Sequence, residues 1–508
     1  MNRLFGALAL VVASVILLAS CGNEPAETSS GVSSQSTSAN KTLTLPFSYA
    51  DTFNPYTAKT KANRELSRLM YESLFYLNEN SQPINLLADT VSVSKFDCTV
   101  TIKAAKFTDG TAVTAGDIVY SANLARAEGS CYAEQLAPLV SCTAVNGNTV
   151  KFTFSICDDY ITALLDFPII KSNTHDMKDA NNQSVPPIGC GPYIFESESG
   201  HYSLAVNENY YRGAVGTGNI ELLNLPDDES LEHYLTSGRI SLYYSDMSDG
   251  RTPKTYGKYR NVQLTNLIYL GVNCKSGPTA DASMRLAISA AIDRTLVCEQ
   301  SFFGYAEPSS GLFPAARSDI VSELYGDNTA NYKQAVAYLE QMDYNKRDDD
   351  GYLTDKSGNR LSIRILYNSS NSTRKKLAEQ LVSQLKEVGI YASTVGKDSK
   401  GFADAVSSGS YDIYIGEIKL NKNYDVSSLF TAELIGGGLP EASETAAAFT
   451  GYYAGEGMMI TAYTAFCSEM PIIPLCFRCG VLTMSQNISS DIAFSLSDPY
   501  IGIRTVKR

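Results

Sequence analysis

Tryptophan is absent from this chain, histidine occurs three times, and no apolar run beyond the first twenty residues is long enough to cross a bilayer. The missing tryptophan removes the commonest sugar-stacking side chain, although 32 tyrosines can supply flat amphipathic surfaces in its place. His175, His201 and His233 stand in unrelated contexts, with neither H-x-x-x-H nor H-E-x-x-H spacing, so a shared metal site is not expected. Equally missing are a G-x-S-x-G elbow, a G-x-x-x-x-G-K-[ST] loop and any repeat of solenoid period. With no nucleophile, base or metal constellation in view, the sequence assigns no catalytic residue, no metal ligand and no cofactor. A basic excess is lacking too: 41 Lys and Arg against 54 Asp and Glu leave a formal charge of −13, which argues against nucleic acid or an anionic membrane surface as partner.

What the chain does have begins with an address. Arg3 precedes an almost unbroken apolar run from Leu4 to Ala19, and the run stops at Leu18-Ala19-Ser20-Cys21. It is shorter than the ~20 residues of a spanning helix, and with its small residues before a cysteine it resembles the lipobox of bacterial lipoproteins. The resemblance implies a signal peptide over residues 1–20, cleavage before Cys21, and lipid on the Cys21 thiol and the new amine. The body is then expected at the outer face of the cell membrane, extracellular or periplasmic, with lipid as its only membrane contact. Residues 21–40 follow as a tether: Gly22 to Asn40 hold six serines and almost nothing apolar, too little to offset ordering entropy. Such a coil spans roughly 25 Å on average.

Ten cysteines remain after Cys21, in a compartment that permits disulfides, and their pairing is not readable. The one C-x-x-C, Cys476-Phe-Arg-Cys479, lies in a β-rich apolar run where buried strand cysteines are the plain expectation. Asp348-Asp-Asp-Gly351 is expected to be a solvated acidic turn, because a calcium loop aligned on Gly351 would begin at Lys346 and end at Ser357 instead of a glutamate. Gly189-Cys-Gly191 before Pro192 is expected to need unusual backbone angles at a lobe crossing.

From Lys41 onward the pattern is α/β, too long for one core. Leu43 and Leu45 alternate in a first strand, and Leu66, Leu69, Met70 and Leu74 share one face of a helix. Cys98, Val100 and Ile102 alternate in a strand that turns at Asp109-Gly110, and Thr114 with Asp117 forms a capping box. A longer helix is expected to carry Met284, Ile288, Ala291, Ile292 and Leu296 on one stripe. Between Leu361 and Ile415 the pattern reads β-α-β-α-β, which calls for a parallel sheet with right-handed crossovers.

Several segments then occur in the order of one family. They are Phe53-Asn-Pro-Tyr56, Leu69-Met-Tyr-Glu-Ser-Leu74, Phe107 to Tyr120, Gly189-Cys-Gly-Pro-Tyr193, Ser237-Gly-Arg-Ile240, Arg285 to Arg294 and Pro471-Ile-Ile-Pro-Leu475. Together they resemble the extracellular solute-binding proteins of the oligopeptide, dipeptide and nickel class (family 5), the receptor components of ABC importers. The resemblance implies a two-lobed periplasmic-binding-protein-like fold of class II type, with mixed sheets flanked by helices, an extra subdomain and a ligand cleft between lobes. Lobe I would comprise residues 41–75, 187–265 and 480–508, the subdomain 76–186, and lobe II 266–479. The implied protein is no enzyme. It is a monomeric receptor for peptides that works with ABC permease subunits and a cytoplasmic ATPase. Nickel complexes, opines or oligosaccharides are the alternatives within this fold, and a transporter-free sensing or adhesive lipoprotein is the alternative outside it.

The same resemblance supplies ligand-site residues. Lys59, Thr60 and Lys61 fall where family members contact peptide backbone, which hints at a carboxylate-bearing ligand, and Tyr269 is a further cleft residue. Glu417 and Lys419 alternate with apolar neighbours, so both are expected at the cleft, surface charge at a strand end being the plainer alternative. The aspartate that pairs with the peptide amine in oligopeptide receptors falls on Asn421, an amide that lacks the opposite charge.

Overall fold

The computed structural model describes residues 42–504 except 226–228, 247–257, 315–316, 318–325, 432–437, 440–441, 487 and 489–491. Cys21, the signal segment and the tether lie outside the described residues. Among those described, no helix is long and apolar enough to cross a membrane.

The unit expected between Leu361 and Ile415 is present. Ile363 and Ile365 are buried while Ser362 and Arg364 point outward, which sets the strand Ser362–Asn368. Asn371 then caps the helix Ser372–Glu387 by accepting the Arg374 N–H. Leu377, Leu381 and Leu385 bury one face of that helix, and Gly389 at φ +88° ends it. The strands Tyr391–Lys397 and Ile413–Lys419, separated by the helix Ser399–Ser407, pair with Ser362–Asn368 on either side, both parallel. Ser362–Asn368 is thus flanked by both of its successors, and ligands of open α/β sheets bind beyond the carboxyl ends of strands at such reversals.

This unit supplies three strands of a seven-stranded sheet. Its order is Leu242–Ser245, Ile472–Met484, Lys258–Val272, Ile413–Lys419, Ser362–Asn368 and Tyr391–Lys397, with Ala306–Pro308 on Ile472–Met484. Two further sheets have four strands each. One is built on Leu43–Phe47; the other runs Ala88–Ser94, Asp97–Ile102, Thr149–Phe154 and Leu139–Asn146, beside the helix Ala115–Ala125. Thr114 and Asp117 form the expected reciprocal cap on that helix.

Buried side chains gather into two cores. One holds residues between Leu267 and Phe477; the other holds Leu43 to Leu264 together with Leu482 to Ile503. Two long antiparallel strands, Lys258–Val272 and Ile472–Met484, run through both. Where they pass from one core to the other the ladder slips. Gln263 faces Cys479 and Leu267 faces Phe477, so Leu264, Thr265 and Asn266 stand opposite Arg478 alone, a bulge that bends the strand.

Three expectations need correcting. The first helix, Lys61–Met70, stops before Leu74: Tyr71 is already extended at φ −126°, and Leu74 is buried in the chain beyond. The stripe from Met284 to Leu296 belongs to two helices, Ala282–Ala291 and Arg294–Gln300, because Asp293 caps the second by accepting the Leu296 N–H, and Leu296 is left 38% exposed. Gly189 and Gly191 are not among the residues with positive φ. Their small size is used for close approach instead: a Cβ on Gly191 would lie 2.4 Å from the Met70 carbonyl carbon and 2.7 Å from the Tyr71 nitrogen. Since these are backbone atoms that a rotamer change cannot move aside, Gly191→Ala should cost at least about 1–3 kcal/mol. Urea midpoints of the two proteins measure it, and an unchanged midpoint would show that the contact relaxes freely.

Candidate functional site

In the first helix, Lys61, Arg64, Glu65 and Arg68 stand at i, i+3, i+4 and i+7, so they share one face while Leu66, Leu69 and Met70 bury the other. The charged face lines a cavity of about 320 Å³, a volume suited to a small ligand. The bulge Leu264–Asn266, Arg478 and the segment Lys419–Lys422 form other parts of its wall, and Glu134, Tyr244 and Asp246 reach it as well.

Most charges here are already engaged. Asp166, fully buried behind the wall, takes Arg68 Nη1 at 2.6 Å on one oxygen and Lys422 Nζ on the other. Burial alone would raise its pKa, but Arg68 and Lys422 together hold it below the usual carboxylate value. Glu417 is treated alike. Its Oε1 accepts from Arg478 at 2.8 Å and Asn266 at 2.9 Å, its Oε2 accepts from Arg374, and the two guanidiniums outweigh burial to keep its pKa low. Lys61 pairs with Asp246 at 2.7 Å and lies 4.7 Å from the centre of the Tyr244 ring. Two cations of the wall differ: Arg64 and Lys419 are exposed and, among the described residues, meet no carboxylate at contact distance.

Glu65 is the wall's least settled acid. Burial pushes its pKa up to about 7, against the pull of Arg68, Lys61 and Arg64 and with the repulsion of Asp498. No hydrogen bond or ion pair holds it among the described residues.

The segment leaving Ile413–Lys419 makes a tight turn. Tyr424 sits at φ +58°, strained for a bulky residue, and its N–H closes on the Asn421 carbonyl at 2.8 Å. Three side chains pin the turn to the stretch between Ser81 and Asp166. Lys422 reaches Asp166, Asn423 Nδ2 donates to Asp158 Oδ2 at 2.7 Å, and Tyr424 donates to Ser81 at 2.8 Å.

The residues named from sequence therefore divide. Lys61, Lys419 and Asn421 line this cavity together. Tyr269 and Glu417 line a second one of about 410 Å³, between the start of the helix Ser372–Glu387 and the helix Ser399–Ser407. Tyr269 packs flat against the sheet there: a Cβ on Gly416, directly across the ladder, would lie 2.5 Å from its ring. Lys59 and Thr60 line neither cavity. Their N–H groups, at 2.9 and 2.6 Å, and the Thr60 hydroxyl, at 2.7 Å, all donate to Asp51 Oδ2. Arg64, Glu65, Arg68, Lys422 and Arg478 were missed; the i, i+3, i+4, i+7 spacing of charges from Lys61 to Arg68 was the signal available for the first three.

The other sequence motifs are structural. Arg285 donates to the carbonyls of Thr279, Ala280, Glu469 and Met470, and buried Arg294 to those of Ser289, Ile292 and Pro474. Cys476 and Cys479 are buried strand residues whose thiols burial pushes up, far from reactive. Arg360 bridges Asp348 and Asp350, closing the acidic turn at 2.6 Å on each.

Known proteins resemble this chain in sequence and fold. The oligopeptide-binding protein AppA of Bacillus subtilis (strain 168) is 26% identical over 373 residues, 67% of this chain and 66% of AppA, so the matched chain spans about two thirds of that relative. Among solved structures, the unliganded open form of MppA, a periplasmic murein tripeptide binding protein, superposes with a TM-score of 0.68 at 21% identity, covering 88% of this chain and 93% of MppA. A nickel ABC transporter structure from Bacillus halodurans gives 0.71 at 16% identity, covering 90% and 97%. These likenesses establish the fold as that of the periplasmic binding proteins. The model of the bacterial extracellular solute-binding proteins, family 5, matches residues 82–432, more than half of the sequence, and this chain belongs to that family.

Proposed function

We propose that the chain is a receptor that captures peptides outside the cell and delivers them to an ABC importer, with no chemistry of its own. The carrying observation is that the cavity takes its walls from elements of both cores, at the level where Lys258–Val272 and Ile472–Met484 pass between them. A ligand there touches both sides of a bend. On this reading the core from Leu267 to Phe477 is lobe II (266–479), the other core joins lobe I (41–75, 187–265, 480–508) with the subdomain (76–186), and the bulge at Leu264–Asn266 is a hinge. The family, and the peptide ligands in the names of AppA and MppA, support peptides over other solutes. Permease subunits and a cytoplasmic ATPase are the partners this function requires, and the receptor acts as a monomer.

Ligand that binds only the native state must stabilise it, by about 2.7 kcal/mol at a hundredfold excess over Kd. Melting curves of the protein with peptides, nickel chelates, opines and sugars should single out peptides, and X-ray scattering should show compaction with the same ligands. Stabilisation by a sugar or chelate alone would refute the peptide assignment.

Cys21 is the proposed lipid anchor. Cys21→Ala should move the protein from the detergent phase to the aqueous phase in Triton X-114 partitioning of whole cells, and an unchanged distribution would remove the anchor from this account.

A further inference from the structure

We infer that the preferred ligands of the 320 Å³ cavity are acidic peptides, whose extra carboxylates are held by Arg64 on the first helix and Lys419 at the end of Ile413–Lys419. The inference rests on the peptide reading and narrows it. Charge at this wall runs against the chain as a whole, which carries −13. Behind the wall, Asp166 is shared by Arg68 and Lys422, and Glu417 by Arg374 and Arg478. The cations of both groups are thus committed to protein carboxylates and are not at a ligand's disposal. Lys61 is neutralised by Asp246. Arg64 and Lys419 remain, on different walls, with no carboxylate at contact distance among the described residues.

The opposing acids are weaker in effect. Glu134 is a single exposed carboxylate against two exposed cations, and burial moves Glu65 toward its neutral form. A neutral peptide brings one carboxylate to two free cations, whereas an acidic peptide brings one for each. Arginine takes a carboxylate through two parallel N–H bonds and lysine takes one as a point charge, both charge-assisted and so about twice as strong as neutral hydrogen bonds. A basic peptide meets Arg64 and Lys419 with like charge.

Calorimetry on the full-length protein with trialanine, alanyl-glutamyl-glutamate, alanyl-lysyl-lysine and citrate tests this. The acidic peptide should bind at least tenfold more tightly than trialanine, and the preference should shrink in high salt. Arg64→Gln combined with Lys419→Gln should remove most of it, weakening the acidic peptide far more than trialanine, whose single carboxylate loses only one such contact; both side chains are exposed, so the fold is not at stake. Equal affinity for the acidic and neutral peptides, or tighter binding of the lysine peptide, overturns the inference and leaves peptide capture standing. Citrate binding without any peptide binding overturns peptide capture, and the inference with it, though the cavity's preference for anions survives. Binding of none of the four overturns both.

Discussion

Asp166→Ala should destabilise the protein by about 3–5 kcal/mol, the cost of leaving buried charges without their partner. Asp166 is completely buried and both of its oxygens are committed, one to Arg68 and one to Lys422. Removing the carboxylate strands a guanidinium and an ammonium side by side, each repelling the other. Lys422 has the easier escape, since burial already lowers its pKa despite the nearby Asp166. In the variant it should shed its proton more readily still, so the native state binds fewer protons than the unfolded one and the deficit shrinks as pH rises. Denaturant titrations at pH 7 and 9.5 measure both effects. A loss below about 1 kcal/mol at pH 7 would mean that the two cations reach water once the carboxylate is gone.

Asp158→Asn should do the opposite and stabilise the protein at neutral pH. Burial raises the Asp158 pKa to about 6, although the Tyr160 N–H, Arg317, Asn423 and Tyr452 all favour its charged form. The ordinary value is 3.8, and the gap is worth about 3 kcal/mol at 1.36 kcal/mol per pH unit. The folded state holds a proton that the unfolded state releases, so this contribution is present below pH 4 and is lost as pH rises to about 6. The amide cannot ionise and removes that slope. The contact with Asn423 survives the change, because an amide flip there lets Oδ1 accept from the new side chain in place of the present Nδ2 donation. Chemical denaturation between pH 4 and 7.5 should therefore give a flatter profile for the variant. Parallel profiles would place the titration elsewhere.

How much of this was legible depended on the range of the forces involved. The β-α-β-α-β unit could be read because the alternation of Ile363 and Ile365 and the spacing of Leu377, Leu381 and Leu385 are local patterns that burial rewards directly. The Thr114 cap was legible for the same reason, being two hydrogen bonds within four residues. At Asp293 a continuous apolar stripe concealed a break that one side-chain cap was enough to make. The cavity could not be assembled that way. Its charges come from residues 61–68, 134, 246, 419–422 and 478, and which of them are free depends on pairings such as Arg374 with Glu417, 43 residues apart. Glu417 illustrates the limit: strand alternation suggested a cleft residue or a surface charge, and nothing local announced that Asn266, Arg374 and Arg478 would all converge on it.

Two strands woven through both cores have a consequence for how the molecule comes apart. Val262 and Leu264 anchor one core while Leu267, three residues on, anchors the other, and Phe477 and Leu482 do the same on the neighbouring strand. Melting either core frays the ladder that the other depends on, so the described body from Thr42 to Arg504, one compact unit by its contacts, should denature in a single calorimetric peak despite its length. An N-terminal fragment ending at the bulge should not be stable alone, because it loses Ile472–Met484, the strand with which Leu242–Ser245 and residues 258–263 both pair.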